Sequence, residues 1–218
     1  MKMKFKCVIF DLDGTLINTL GDIAASMNRA LKKRGFPELE ADDFKDKVGW
    51  GIKRLAYLSM PEEARNEEEA GRIAMDAAEF YAEVPLLYSK PYPGIKELIS
   101  ALRAKKIKTI VLTNKPDPVA QKVIAGLFSP DSFDCVRGEI FGGPRKPDPA
   151  CVWDLLADLA LTPSDCIFVG DSEIDMETAV SAGCFPLGVS WGYRSEEIIH
   201  KAGAKGLIEE PGELLEYI

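Results

Sequence analysis

The sequence of 218 residues is short of the features that mark several large protein classes. It has one histidine, His200, in the segment EEIIHKAG, remote from every polar cluster described below; it reads as a surface helix residue rather than a catalyst. The five cysteines, Cys7, Cys135, Cys151, Cys166 and Cys184, are odd in number and form no C-x-x-C. That argues against a zinc knuckle or a disulfide framework and for free thiols in a reducing compartment. No stretch approaches the ~20 apolar residues of a membrane span. The opening MKMKFKCVIFDLDG reaches Asp11 after too short an apolar run for a signal-peptide core. The expectation is a soluble, cytoplasmic protein without a membrane partner, a monomer or homodimer. Basic charge is also scarce: 27 Lys and Arg against 35 Asp and Glu give a net charge of -8. Such a surface repels a polyphosphate backbone, so no nucleic-acid partner is expected, and a small anionic substrate would need a few placed cations or a metal. Internal repeats and low-complexity segments are absent.

What is present is an alternation of buried strands and amphipathic helices. CVIF (7–10), KTIVLT (108–113) and CIFVG (166–170) are apolar runs rich in β-branched residues, without polar alternation, as buried parallel strands are. Helical segments such as PGIKELISALRAKK (93–106), with a proline suited to a first turn, lie between them. The pattern predicts an α/β fold with a doubly wound, Rossmann-like parallel sheet, whose ligands bind outside the carboxyl ends of the strands. Residues 17–87 interrupt the alternation with helical patterns alone, so they read as an inserted α-helical domain, leaving 1–16 and 88–218 as the core. Thr19 and Asp22 are placed to cap its first helix, which Gly35 and Pro37 stop. A second helical pattern over 61–84 has candidate breaks at Asn66 and Gly71, and its acidic cluster reads as a solvated face.

Each buried strand ends in a polar cluster. After CVIF comes DLDGT: residues i and i+2 of a strand end point the same way, so Asp11 and Asp13 face one site while Gly14 allows a tight turn. Two carboxylates that close repel unless a cation or a shared proton intervenes. Alone, the motif fits a strand-end turn with a capping aspartate as well as it fits a metal site. After CIFVG, Asp171 and Asp175 open a helix, either as helix-start acids favoured by the macrodipole or as a second carboxylate cluster. Four aspartates from two strand ends are hard oxygen ligands suited to magnesium with a phosphate in its shell. KTIVLT ends in Thr113, Asn114 and Lys115 before Pro116, donors that match phosphate oxygens or else an ordinary capped turn. In GGPRKPDP (142–149) prolines flank Arg145 and Lys146, which reads as a basic surface turn or as one cation, Lys146, aimed over the strand ends.

Taken together in order and spacing, DLDGT, Thr113, Lys146 and GDSEID resemble the four motifs of the haloacid dehalogenase-like superfamily of phosphohydrolases, over nearly the whole chain. The helical insert is similar to the small cap of the subgroup that contains phosphoglycolate phosphatases, sugar-phosphate phosphatases and β-phosphoglucomutase. VGWGIKRLA (48–56), GVSWGY and the segment GLIEEPGELLEYI resemble phosphoglycolate phosphatases in particular. The resemblance implies that Asp11 attacks phosphorus and becomes a phosphoaspartate, while Asp13 protonates the leaving alcohol and then activates water. It implies Mg2+ held by Asp11, the Asp13 carbonyl and Asp171, with Lys146 and Thr113 stabilising the transferring group and Asp175 orienting Lys146 or a metal-bound water. Gly14 and Asn114 join Thr113 and Lys146 as phosphate-binding candidates. Asn18 stands where relatives often carry Asp, and RGEIFGGPRKPDP departs from the common wording of the family.

The insert would choose the substrate. Gly49, Trp50 and Lys53 in GWGIKR, with Arg54, offer glycine N–H groups, an aromatic face and cations for a small carboxylate, although a capped helix start with solvated cations has the same signature. The expected partner is a small phosphorylated metabolite, 2-phosphoglycolate ahead of hexose phosphates and nucleotides. A mutase like β-phosphoglucomutase would use the same core. A receiver-like phosphate-responsive module, or a dehalogenase, would not need Asp13.

Overall fold

The structure, a computed structural model, describes residues 5–218. In chain order, β1 (Cys7–Phe10) is followed by β2 (Ile17–Asn18), the helices α1 (Leu20–Lys33), α2 (Ile52–Ser59) and α3 (Glu67–Glu83), and β3 (Lys90–Pro91). Helices and strands then alternate: α4 (Ile95–Ala104), β4 (Lys108–Pro116), α5 (Asp117–Leu127), β5 (Cys135–Glu139), α6 (Ala150–Asp158), β6 (Cys166–Gly170), α7 (Glu173–Ala182), β7 (Phe185–Val189), α8 (Glu196–Lys201) and β8 (Gly206–Ile208). The chain divides into two compact units, one comprising the chain up to Ile17 with Pro91–Ile218, the other Asn18–Lys90. Among the described residues no helix is long and apolar enough to cross a membrane.

The first unit is a Rossmann-like α/β domain. Its six-stranded sheet has the order β5-β4-β1-β6-β7-β8, every neighbouring pair parallel. β1 is central, with Cys7 in register with Lys108 on one side and Cys166 on the other. One sheet face, carrying Cys7, Ile9, Ile110 and Phe168, packs against Val152 and Leu155 of α6 and Ala179 of α7. Residues of the opposite face, Val8, Phe10, Val111 and Val169, are equally buried. A sheet covered on both sides needs apolar residues at consecutive positions, which is why these strands lack polar alternation. β4 runs past its expected end at Thr113 to Pro116, because a register shift after Leu112 lets the strand continue irregularly along β5. Pro93 lies before α4, whose cap is the left-handed Gly94, rather than within its first turn.

The second unit is helical. α1 has no side-chain cap from Thr19, whose φ of -103° and ψ of 0° are already near-helical, not the extended conformation from which a hydroxyl reaches back. Asp22 does different work: buried, its carboxylate accepts the N–H groups of Tyr88 and Ser89 and the Ser89 hydroxyl. Of the two candidate breaks in the second helical pattern, Asn66 is used, accepting the Glu69 N–H at 2.8 Å as cap of α3, while Gly71 lies within the helix. The acidic start of α3 is exposed at Glu67 and Glu68, which pair with Lys53 and Arg72.

Lys33 and Arg34 at the end of α1 meet Asp76 of α3 at 2.6 and 2.8 Å. The Lys33 hydrogen bond, opposed by burial and helped by Arg34, holds the Asp76 carboxyl below the usual carboxylate range. A depressed native pKa contributes stability that is present above the unfolded value of ~3.9 and lost as pH falls through the native one. Asp76→Asn is expected to lower the urea midpoint at neutral pH and to matter progressively less below pH ~4. Urea titrations across that range check it, and a pH-independent loss would contradict it.

Candidate active site

The order in which strands are added to the sheet reverses between β1 and β6, since β4 and β5 are added on one side of β1 and β6 to β8 on the other. Asp11, whose N–H donates to Val169 O at 2.9 Å, and Asp171 leave the carboxyl ends of the two strands that flank this switch point. A ligand crevice is expected there in such a sheet. The turn after Asp11 is closed by Gly14 N–H to Ile17 O at 2.9 Å, with Gly14 at a φ of 89°.

Asp171 is fixed from several sides. Thr15 Oγ1 donates to one carboxylate oxygen at 2.9 Å and the Tyr193 N–H to the other at 2.8 Å. A Cβ on Gly14 would lie 2.4 Å from Asp171 Oδ2 and one on Gly192 2.1 Å from Asp171 Cβ, so both positions admit only glycine. Trp191 Nε1–H donates to Thr15 O at 3.0 Å, and the Trp191 ring lies 6.3 Å from that of Tyr92. The Tyr92 hydroxyl is pushed up by burial and by the Asp171 and Asp13 charges.

Asp175 belongs to a capping box that opens α7. Its Oδ2 accepts from the Ser172 N–H at 3.1 Å and the Ser172 hydroxyl at 2.6 Å, while its own N–H meets Ser172 Oγ. Its other oxygen accepts from Lys146 Nζ at 2.6 Å, and the same ammonium reaches Asp11 Oδ1 at 2.6 Å. Of the two cations in the proline-flanked turn, Lys146 points inward and is buried, whereas Arg145 is exposed and pairs with Glu139. Asn114 bonds both sides of the Lys146 peptide: Oδ1 accepts its N–H at 3.0 Å and Nδ2 donates to its carbonyl at 2.9 Å. Thr113 Oγ1 accepts from the Lys115 N–H at 3.2 Å, which leaves its hydroxyl hydrogen for an anion. Lys115 Nζ donates to both Asp13 oxygens, at 3.0 and 3.2 Å.

Asp11, Asp13, Gly14, Thr113, Asn114, Lys146, Asp171 and Asp175 thus all lie in the first unit, where Lys146 joins Asp11, Asp175 and Asn114, while Lys115 joins Asp13 to Thr113. Gly49, Trp50 and Lys53 lie in the second. There Gly51 caps α2, Lys53 pairs with Glu67 at 2.7 Å, and the Arg54 guanidinium sits 5.1 Å from the centre of the Tyr57 ring. Asn18 Oδ1 accepts the Leu20 N–H at 3.3 Å. The sequence offered Lys115 only as a donor to phosphate beside Thr113 and Asn114, and gave no role to Thr15, Ser172 or Tyr193. Only Lys115 carried a signal, lying two residues after Thr113 on a strand.

Oxygens of Asp11, Asp171 and Asp175 lie within 4.8 Å of one another. Burial, then the charge of Asp175, pushes Asp171 up to about 7, and burial also drives the Asp11 carboxyl well above the carboxylate range against the pull of Lys146. Burial alone would lower the Lys146 pKa, but the Asp11 and Asp175 carboxylates outweigh it and keep the ammonium charged. Three carboxylates therefore face one ammonium, and a hard divalent cation fits both the donor set and its surplus negative charge.

Residues 5–183 match the family described as haloacid dehalogenase-like hydrolase. The chain belongs to the haloacid dehalogenase-like hydrolases. It is 35% identical to the phosphoglycolate phosphatase of Rhodospirillum rubrum over 94% of this chain and 87% of that protein. It is 30% identical to that of Mannheimia succiniciproducens over the whole of both. Among solved structures it is similar to a predicted phosphoglycolate phosphatase from Haemophilus somnus, with a TM-score of 0.91 and 30% identity over 99% of each chain.

In this hydrolase core Gly170 ends β6 where the Asp175 side chain folds back over the strand, and an added Cβ would lie 2.2 Å from Asp175 Cβ. Gly170→Ala is expected to lose ~1–3 kcal/mol of stability through overpacking and to lower turnover by displacing the partner of Lys146. A urea titration and a rate measurement check this, and wild-type values for both would refute it.

Proposed function

We propose that the protein is a magnesium-dependent phosphatase that hydrolyses a small phosphate monoester, 2-phosphoglycolate, through a phosphoaspartate on Asp11. The observation that carries the reading is the buried Lys146 ammonium 2.6 Å from the Asp11 carboxylate at the sheet switch point. A charged lysine there opposes the burial that drives the Asp11 carboxyl up, and it faces the phosphoryl oxygens as charge develops on them.

An Asp11 oxygen attacks phosphorus as the bond to the leaving oxygen breaks, and Asp13 gives that oxygen a proton. Asp13 then takes a proton from the water that attacks the phosphoaspartate, the Asp11–phosphorus bond breaks, and inorganic phosphate leaves. Lys115 Nζ, donating to both Asp13 oxygens, restrains the carboxyl before the first step. Thr113 donates its hydroxyl hydrogen to a phosphoryl oxygen. Asp11, the Asp13 carbonyl and Asp171 would hold Mg2+, which supplies charge neutralisation between nucleophile and phosphate dianion. Thr15 and the Tyr193 N–H keep Asp171 aimed for that duty.

Hydrolysis of an aryl phosphate is expected to need a divalent cation and to vanish in Asp11→Asn, and mass spectrometry of a quenched reaction should find the phosphoryl group on Asp11. Full activity in excess chelator, or phosphate on another residue, would overturn the mechanism. The phosphoglycolate phosphatase names of the relatives, together with the GWGIKR loop, support the substrate. In a panel of phosphate monoesters, 2-phosphoglycolate should give the highest kcat/KM. A sugar phosphate or nucleotide ahead by more than about tenfold, ~1.4 kcal/mol in transition-state binding, would reject the substrate and leave the phosphatase standing. Isomerisation of glucose 1-phosphate without phosphate release would identify a phosphotransferase instead.

A further inference from the structure

Lys146 is asked for an accuracy that its own stretch of chain does not supply. It lies in the irregular segment between β5 and α6, outside any helix or strand, yet its ammonium sits 2.6 Å from each of two carboxylates. Pro144 and Pro147 near it have no N–H with which to anchor the loop. The anchor comes from β4: the buried Asn114 amide accepts the Lys146 N–H at 3.0 Å and donates to the Lys146 carbonyl at 2.9 Å, across 32 residues of sequence. Two bonds from one planar amide to the N–H and C=O of one residue fix both the position and the direction from which the side chain departs. Position 114 accordingly serves the lysine, although its place after Thr113 marks it in the sequence as a donor to phosphate.

We infer that Asn114 is a positioning residue for Lys146, acting on the rate of phosphoryl transfer through the lysine and not by binding phosphate. The inference rests on the phosphatase reading of the site. A displacement of about 1 Å in a catalytic group can cost on the order of 100-fold in rate. Losing the clamp should therefore appear in kcat. Loss of a direct phosphate contact made equally in ground and transition states would appear in KM. A cavity of about 170 Å³ lined in part by Leu112, Asn114, Lys146 and Cys151 adjoins the clamp. Water entering there can satisfy the Lys146 peptide in a truncated variant, so Asn114→Ala is compatible with a folded protein.

The test is a double-mutant cycle on the full chain, with an aryl phosphate as substrate: wild type, Asn114→Ala, Lys146→Met and the double variant. The near-isosteric Asn114→Asp is a second probe that keeps the acceptor for the Lys146 N–H and loses the donor to its carbonyl. Thermal melts establish that each variant is folded. Asn114→Ala and Asn114→Asp are expected to lower kcat at least tenfold with KM within about threefold of wild type, and Asn114→Ala to cost less than about threefold once Lys146 is Met. Wild-type kcat in both Asn114 variants, a KM raised tenfold at unchanged kcat, or the same loss with and without Lys146 would overturn the inference. If Lys146→Met itself turns over like wild type, the reading of the site fails first, and that single variant separates the two failures.

Discussion

The buried ammonium of Lys146, shared between Asp11 and Asp175, is the contact on which the rest of the site depends. Burying three carboxylates within 4.8 Å of one another is electrostatically unfavourable, and one fixed cation removes part of that cost. Because the ammonium touches two acids from different strand ends, it also couples β1 to the start of α7. Asp175 is held by the Ser172 capping box, and the absence of a side chain at Gly170 makes room for it. A feature that begins as helix capping therefore ends as the orientation of the proposed nucleophile's partner. One carboxylate divides its two oxygens between a helix start and a lysine.

Asp171 shows the same economy by another route. Its oxygens receive a side-chain hydroxyl from the turn after β1 and a backbone N–H from the segment after β7. Glycines at 14 and 192 let both segments close on it. Burial and the charge of Asp175 raise its pKa to about 7. A carboxylate restrained on both oxygens still has lone pairs to offer a hard ion, with little freedom left to lose on binding it.

The parts legible in the sequence are those with a physical reason to advertise themselves. β1, β4 and β6 are buried on both faces, so each reads as an unbroken apolar run, and their ends carry the acidic and hydroxyl clusters. β5 escapes because CVRGE, at the sheet edge, carries charge. β7 escapes because FPLGV contains a proline and a glycine that ordinarily argue against an internal strand, although Gly188 is required where Ile199 would otherwise meet a Cβ at 2.4 Å. Asp11, Asp13, Lys146, Asp171 and Asp175 could be nominated because spacing puts them at strand ends. The task of Asn114 could not be read, since its partner is the backbone of a residue 32 positions away and no local pattern records that bond. The side-chain pairing of Lys53 with Glu67, 14 positions on, likewise has no local pattern that records it.

The register of β1 has a consequence for how the molecule comes into being. Its neighbours on both sides, which pair Cys7 with Lys108 and Cys166, lie 101 and 159 residues downstream, with the helical unit intervening. On a ribosome, β1 is made before both of its neighbours, and its second edge cannot be closed until β6 has emerged. Pairings of such long sequence separation form slowly, and an apolar strand with unpaired edges is prone to capture by other chains in the meantime. Among the described strands, the one that leads into the proposed nucleophile therefore waits longest for its neighbours. Asp11 and Asp13 immediately after it place negative charge beside the sticky run CVIF, where like charges on two nascent chains discourage their strands from zipping together.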